Sequence, residues 1–149
     1  MQKTSPEDVL REKGMLVHFT VGDSMWPMLH NRSDHVLVVP ANGRLKKYDL
    51  PLYKRPNGQY VMHRILKVRD ADYITCGDNR RYKEKGITDD MIIGVAKGYW
   101  RNEKYIDCRN KWYRLYVHLW CDFFMIRSGI LFIRDLPRRI RKKIRKEAS

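Results

Sequence analysis

The chain is short of cysteine and of acidic residues, and it has neither an apolar opening nor an uncharged hydrophobic run of membrane length. Each shortage excludes something. Its three cysteines, Cys76, Cys108 and Cys121, are odd in number and irregularly spaced. That fits neither a disulfide framework nor a zinc ligand set, and points to free thiols in a reducing compartment. Residues 1–13 are mostly polar and charged, without the basic, apolar and small-residue order of a secretory signal, so export by that route is not expected. Acids number 17 against 31 Lys and Arg in 149 residues, a formal net charge of +14. Such an excess suits an anionic partner, whether nucleic acid, acidic peptide or anionic lipid, without choosing among them. The stretch 115–133 is about long enough to cross a bilayer, but it holds His118, Asp122 and Arg127. The last two would each cost about 2.5 to 3.5 kcal/mol at the membrane centre, so this stretch is expected to lie on a membrane rather than span it.

What is present describes one folded unit with an appendage. Hydrophobic residues make up 43% and charged residues 32% of the chain, enough apolar content for a core in a chain of one-domain size. Thr4-Ser5-Pro6-Glu7 reads as the start of a short helix, with Pro6 in the first turn, and Gly14 ends it. The runs 15–21, 35–39, 60–68, 73–76 and 91–99 are β-rich and separated by Gly, Asn, Asp and Pro clusters. The expected fold is therefore mostly β over 1–108. From Asn110 the period changes: Trp112, Tyr116, Leu119, Phe123, Ile126, Ile130 and Ile133 recur at spacings of three and four. This predicts an amphipathic carboxy-terminal helix in 109–149, loosened near Gly129 and interrupted before Pro137. Residues 136–149 carry seven cations against one acid, so an apolar face is followed by a cationic cluster, as in an interfacial anchor for anionic lipid. The alternative is a helix packed on the β core with a solvated basic tail.

The densest cluster of unusual choices is Val21-Gly22-Asp23-Ser24-Met25-Trp26-Pro27-Met28-Leu29. A serine after a Gly-Asp turn and before an apolar residue and a proline presents its hydroxyl at a fixed bend, where its own amide can face a developing oxyanion. Turns also carry ordinary serines. A hydroxyl needs a base within reach, and among the five histidines His63, inside a β-rich run, is the best placed to be held rigidly. Gly77-Asp78-Asn79 ends the next run in a turn, where Asp78 could orient His63 or simply form the turn.

Taken together, Gly22 to Leu29, then Val61-Met62-His63-Arg64-Ile65, then Tyr73-Ile74-Thr75-Cys76-Gly77-Asp78-Asn79-Arg80, and then Ile92-Ile93-Gly94-Val95-Ala96 resemble, in order, the boxes of the signal peptidase and SOS-repressor peptidase superfamily. The resemblance spans residues 15–98. His63-Arg64 is similar to the histidine-containing endoplasmic-reticulum, archaeal and sporulation-type signal peptidases, where other members use a lysine base. It implies a β core of signal-peptidase type, with Ser24 as nucleophile, His63 as general base and Asp78 or a nearby acid orienting the histidine. Glu84, Asp89 and Asp90 are the further candidate acids. Gly22, Met25 and Pro27 are the candidates for oxyanion stabilisation and substrate positioning; Gly22 stands where bacterial relatives often place a hydroxyl. No metal and no cofactor is expected. The implied substrate is a peptide or preprotein with small side chains beside the cut, docked as an added strand.

The leading expectation is a serine endopeptidase that removes a signal or leader peptide at an anionic membrane surface, in a cytoplasmic or peripheral membrane location. A catalytically silent peptide-binding protein of the same fold is one alternative. A repressor-type regulator is another, but it would need a helix-turn-helix and a lysine base, which the short amino-terminal segment and His63 do not supply. Nucleic acid is accordingly not an expected partner.

Overall fold

A computed structural model describes residues 4–147. The fold is mostly β, as expected, with two antiparallel sheets, a short amino-terminal helix and carboxy-terminal helices. Helix α1 (Pro6–Lys13) starts at Ser5, whose hydroxyl accepts from the Asp8 amide, and ends at left-handed Gly14. Leu10 buries its one apolar face.

The larger sheet runs in the order β1 (Leu16–Phe19), β2 (His35–Val39), β8 (Ile92–Arg101), β3 (Pro51–Lys54), β4 (Tyr60–Met62), and β9 (Lys104–Asp107) also pairs with β8. The smaller sheet is β5 (Arg64–Val68), β6 (Tyr73–Cys76) and β7 (Glu84–Ile87). Strand β8 is the spine: its apolar residues alternate between two cores, and register shifts against β2 and β3 curl the sheet. Strands β1 and β4 end the main order of the sheet, and each pairs on one side only.

One core lies under the Ser24 turn, where Met25, Met28 and Leu29 meet Val36, Val38 and Leu52. The other packs Tyr53, Ile65, Tyr73 and Ile87 between the sheets. Each such side chain contributes about 1.5 to 3 kcal/mol on burial, so the turn that carries Ser24 is anchored as firmly as a strand.

Three features differ from expectation. The run 60–68 is two strands, and the chain passes from one sheet to the other at His63. Strands β3, β7 and β9 lie outside the β-rich runs: β3 opens with a proline, β7 is Glu-Lys-Gly-Ile, and β9 returns through a two-residue turn at Asn102 and Glu103, both at positive φ. The carboxy-terminal helix is two helices, α2 (Lys111–Asp122) and α3 (Phe124–Glu147), bent by 83° at Phe123. Gly129 and Pro137 both lie inside α3, so the expected loosening and interruption are replaced by an earlier break, at Phe123. Helix α2 joins the first core through Tyr113, Val117 and Cys121. No single helix among the described residues is long and apolar enough to cross a membrane.

Candidate active site

The Ser24 turn is fixed from below by its apolar anchors and from the side by a second turn. Within it, the Leu29 amide donates to the Met25 carbonyl at 2.9 Å and the Trp26 amide to the Asp23 carbonyl at 3.1 Å. The turn after β6 supplies the lateral clamp: the Asn79 amide donates to the Ser24 carbonyl at 2.8 Å, and Asn79 Nδ2 to the Asp23 carbonyl at 2.9 Å. Arg80 Nη2 closes an ion pair with Asp23 Oδ1 at 2.8 Å. Gly77 is required between them. A Cβ there would sit 2.5 Å from the Ser24 carbonyl oxygen and 3.1 Å from His63 Nε2, so the serine turn and the imidazole converge on one point that only glycine leaves open.

His63 is held at the passage between the two sheets, with its Nδ1 turned away from the serine. Nδ1 lies 3.3 Å from the Tyr53 hydroxyl and 3.6 Å from Glu84 Oε2. Tyr53 donates its only proton to Glu84 Oε2 at 2.7 Å, and Arg55 grips both Glu84 oxygens at 2.7 Å. What faces Nδ1 is thus a phenolic lone pair and a carboxylate, both acceptors. This keeps the hydrogen on Nδ1 and leaves Nε2 a free lone pair on the side of Ser24. Burial lowers the His63 pKa to about 4, and Glu84 opposes that fall. At neutral pH the ring is a free base. Glu84 itself is held below the usual carboxylate range by its hydrogen bonds from Arg55, with Tyr53 adding to them, so it stays ionised beside the ring.

The acid beside His63 is therefore Glu84 and not Asp78. Asp78 is fully buried and its oxygens are taken by Arg64, at 2.9 and 2.8 Å, and by the Tyr116 hydroxyl at 3.0 Å. It reaches His63 only through its charge. Arg64, the second residue of the His-Arg pair, thus ties the turn after β6 to helix α2. Asp89 pairs with Arg44 and accepts from Tyr73, on the far side of the small sheet, while Asp90 lines a separate cleft beside α1. Neither meets the histidine.

Of the three residues expected to position substrate or oxyanion, Gly22 and Met25 line the cleft and Pro27 does not. The Gly22 amide donates to Asn31 Oδ1 at 2.9 Å, so it is already used. Met25 is buried beneath the turn as an anchor. Pro27 faces an aromatic cavity with Tyr99, Tyr105 and Tyr113. The Ser24 amide and hydroxyl make no hydrogen bond among the described residues.

The cleft itself is about 440 Å³ and runs between β1 and β4, with Phe19 of β1 and Val21 just beyond it on one wall and Tyr60 to Met62 of β4 on the other. Ser24, His63 and Arg80 stand at its end, and Val36, Val38 and Leu52 form an apolar floor. Two unpaired strand edges facing each other across a half-barrel offer backbone donors and acceptors to an extended peptide. Tyr53 and Arg55 were not singled out as site residues from sequence. Their residue types are ordinary in β-rich runs and turns, and only the pairing of β3 with β4 and β6 with β7 brings them to His63. No family model, curated protein or solved structure matches the chain.

Proposed function

We propose that the chain is a serine endopeptidase of the signal-peptidase type, acting on a signal or leader peptide with Ser24 as nucleophile and His63 as general base. One observation carries this reading: an uncharged imidazole with Nε2 turned to the serine turn across Gly77, and Nδ1 held by the Tyr53–Glu84–Arg55 chain. The order of sequence boxes similar to the signal peptidase and SOS-repressor peptidase superfamily supports it independently.

The substrate enters extended between β1 and β4, with its scissile carbonyl over Ser24. The hydroxyl oxygen adds to the carbonyl carbon as its proton passes to His63 Nε2, and Glu84 stabilises the imidazolium that forms. In this reading the Ser24 amide, which has no hydrogen-bond partner among the described residues, donates to the oxyanion. Collapse breaks the C–N bond, His63 returns the proton to the leaving amine, and an acyl ester remains on Ser24. Water, deprotonated by the same imidazole, then hydrolyses the ester.

A second reading, a silent peptide-binding protein, draws on one fact: the Ser24 hydroxyl is not bonded to His63 in this conformation. Catalytic hydrogen bonds often tighten only with substrate present, so the distinction is experimental. Purified chain incubated with a library of signal and leader peptides should cleave a subset, and Ser24→Ala and His63→Ala should each abolish turnover while the fold is kept. Peptide binding by all three proteins without cleavage by any would select the silent binder.

A further inference from the structure

Helix α3 turns Arg127 and Arg134 inward beside buried Leu131 and leaves a set of apolar residues facing outward. Arg127 is buried, its guanidinium against the Phe124 ring at 4.7 Å and its Nη2 donating to the carbonyls of Gly77 and Arg80 at 3.2 and 2.8 Å. Arg134, about two turns further along the same face, donates to Asn79 Oδ1 at 2.6 Å and stacks near the Trp26 ring. The opposite face bears Met125, Ile126, Ile130, Ile133, Leu136 and Ile140, with Met125 81% and Ile133 70% exposed. Helix α2 continues the pattern. Tyr113, Val117 and Cys121 face the core, while Trp112, Leu115 and Leu119 face out, Trp112 at 70% exposure.

Exposed apolar residues gathered on one face of each of two successive helices are far more than the scattered apolar residues of an ordinary surface, and they mark a place that is covered. Charge identifies the cover. A second copy would bring another chain of net charge +14 against this one, a repulsive encounter at moderate salt. The stripe runs instead into residues 138–146, where the sequence has seven cations, and begins beside exposed Lys111 and Arg114. Apolar residues between two cationic ends are what an anionic lipid surface requires. The axes of α2 and α3, meeting at 83°, define a plane along which both helices can lie.

We propose that the outward face of the α2–α3 elbow docks on an anionic lipid bilayer, lying in the interface without crossing it. The proposal stands on lipid binding alone, so its failure and that of the peptidase reading are told apart by different assays. The test is flotation of the full chain with phosphatidylcholine vesicles, with and without phosphatidylglycerol, at low and high salt. Wild type should float with the anionic vesicles, and raising the salt should weaken binding. The double variant Ile130→Glu, Ile133→Glu should bind at least about tenfold more weakly, with its circular dichroism unchanged because both side chains are exposed. Vesicle binding that ignores the glutamates, or no binding by folded wild type, would overturn the proposal. So would sedimentation showing a wild-type dimer that the glutamates dissociate.

Discussion

At the scale of single residues the site separates two carboxylates by what each touches. Glu84 faces the imidazole and is gripped by Arg55 and Tyr53, whereas Asp78 is locked to Arg64 inside the protein. The two should therefore fail differently. Glu84→Gln leaves Arg55 as an unopposed cation near His63, and kcat should fall on the order of a hundredfold with the fold intact. Asp78→Asn strips one partner from a buried ion pair and should cost about 3 to 5 kcal/mol of stability, read by denaturant unfolding, with the turnover of the molecules that remain folded changed far less. Equal effects on turnover would return the orienting role to Asp78.

The histidine makes a prediction about pH. Its folded pKa of about 4 lies below the ordinary value of 6.5, so the unfolded chain takes up the proton first as the medium is acidified. The stability contributed by a neutral buried His63 is complete above the ordinary value and is lost as pH falls toward 4, on the order of 3 kcal/mol in all. Unfolding free energies between pH 6.5 and 4 should accordingly fall more steeply for wild type than for His63→Asn. The acid limb of kcat/KM should have its midpoint near 4, with a plateau through neutrality. A limb near 6.5 would mean that another group, or an exposed histidine, is the base.

At the scale of elements, helix α3 does more than present an apolar face, because its inner arginines reach the turn that clamps Ser24. Arg127 Nη2 holds the carbonyls at both ends of the Gly77–Arg80 turn, while its Nε and Nη1 are buried with no hydrogen-bond partner among the described residues. A buried guanidinium so poorly satisfied is a cost that the fold bears, and holding the turn is the evident compensation. Arg127→Met removes the clamp but keeps the volume. We expect kcat to drop about tenfold with KM little changed, while Arg127→Lys restores part of it. A fall in thermal stability with kcat untouched would make the residue structural only.

The same element shows where the sequence stopped being legible. Period three and four in 112–133 gave helical segments and most of the apolar stripe, but not the break at Phe123, because outward and inward faces share the same repeat. Which face turns inward depends on the partner surface, and there the carbonyls of Gly77 and Arg80 draw in Arg127. Tyr116, counted with the stripe, turns in to reach Asp78 for the same reason. Ser24, His63 and the turn at Gly77 were readable because each is an unusual choice in its local context. Tyr53 and Arg55 were not, since their part in the site exists only once β3 pairs with β4 and brings them against Glu84 of β7.

At the scale of the whole molecule, cleft and helical elbow are joined through one turn: residues 77–80 touch Ser24 and His63 on one side, and Arg127 and Arg134 of α3 on the other. A chain docked by α3 thus carries its cleft at a fixed offset from the lipid surface. Substrates anchored in the same surface then meet the cleft at an effective concentration set by tether length, about millimolar for short flexible tethers. For a cleavable peptide linked to a lipid anchor in anionic vesicles, kcat/KM should exceed that for the same peptide free in solution by on the order of a hundredfold. The advantage should shrink as salt screens the basic tail. In the Ile130→Glu, Ile133→Glu variant the ratio of tethered to free cleavage should collapse toward one. A ratio near one in wild type, with free peptide cleaved well, would mean that the elbow meets lipid in an orientation that turns the cleft away from anchored substrates.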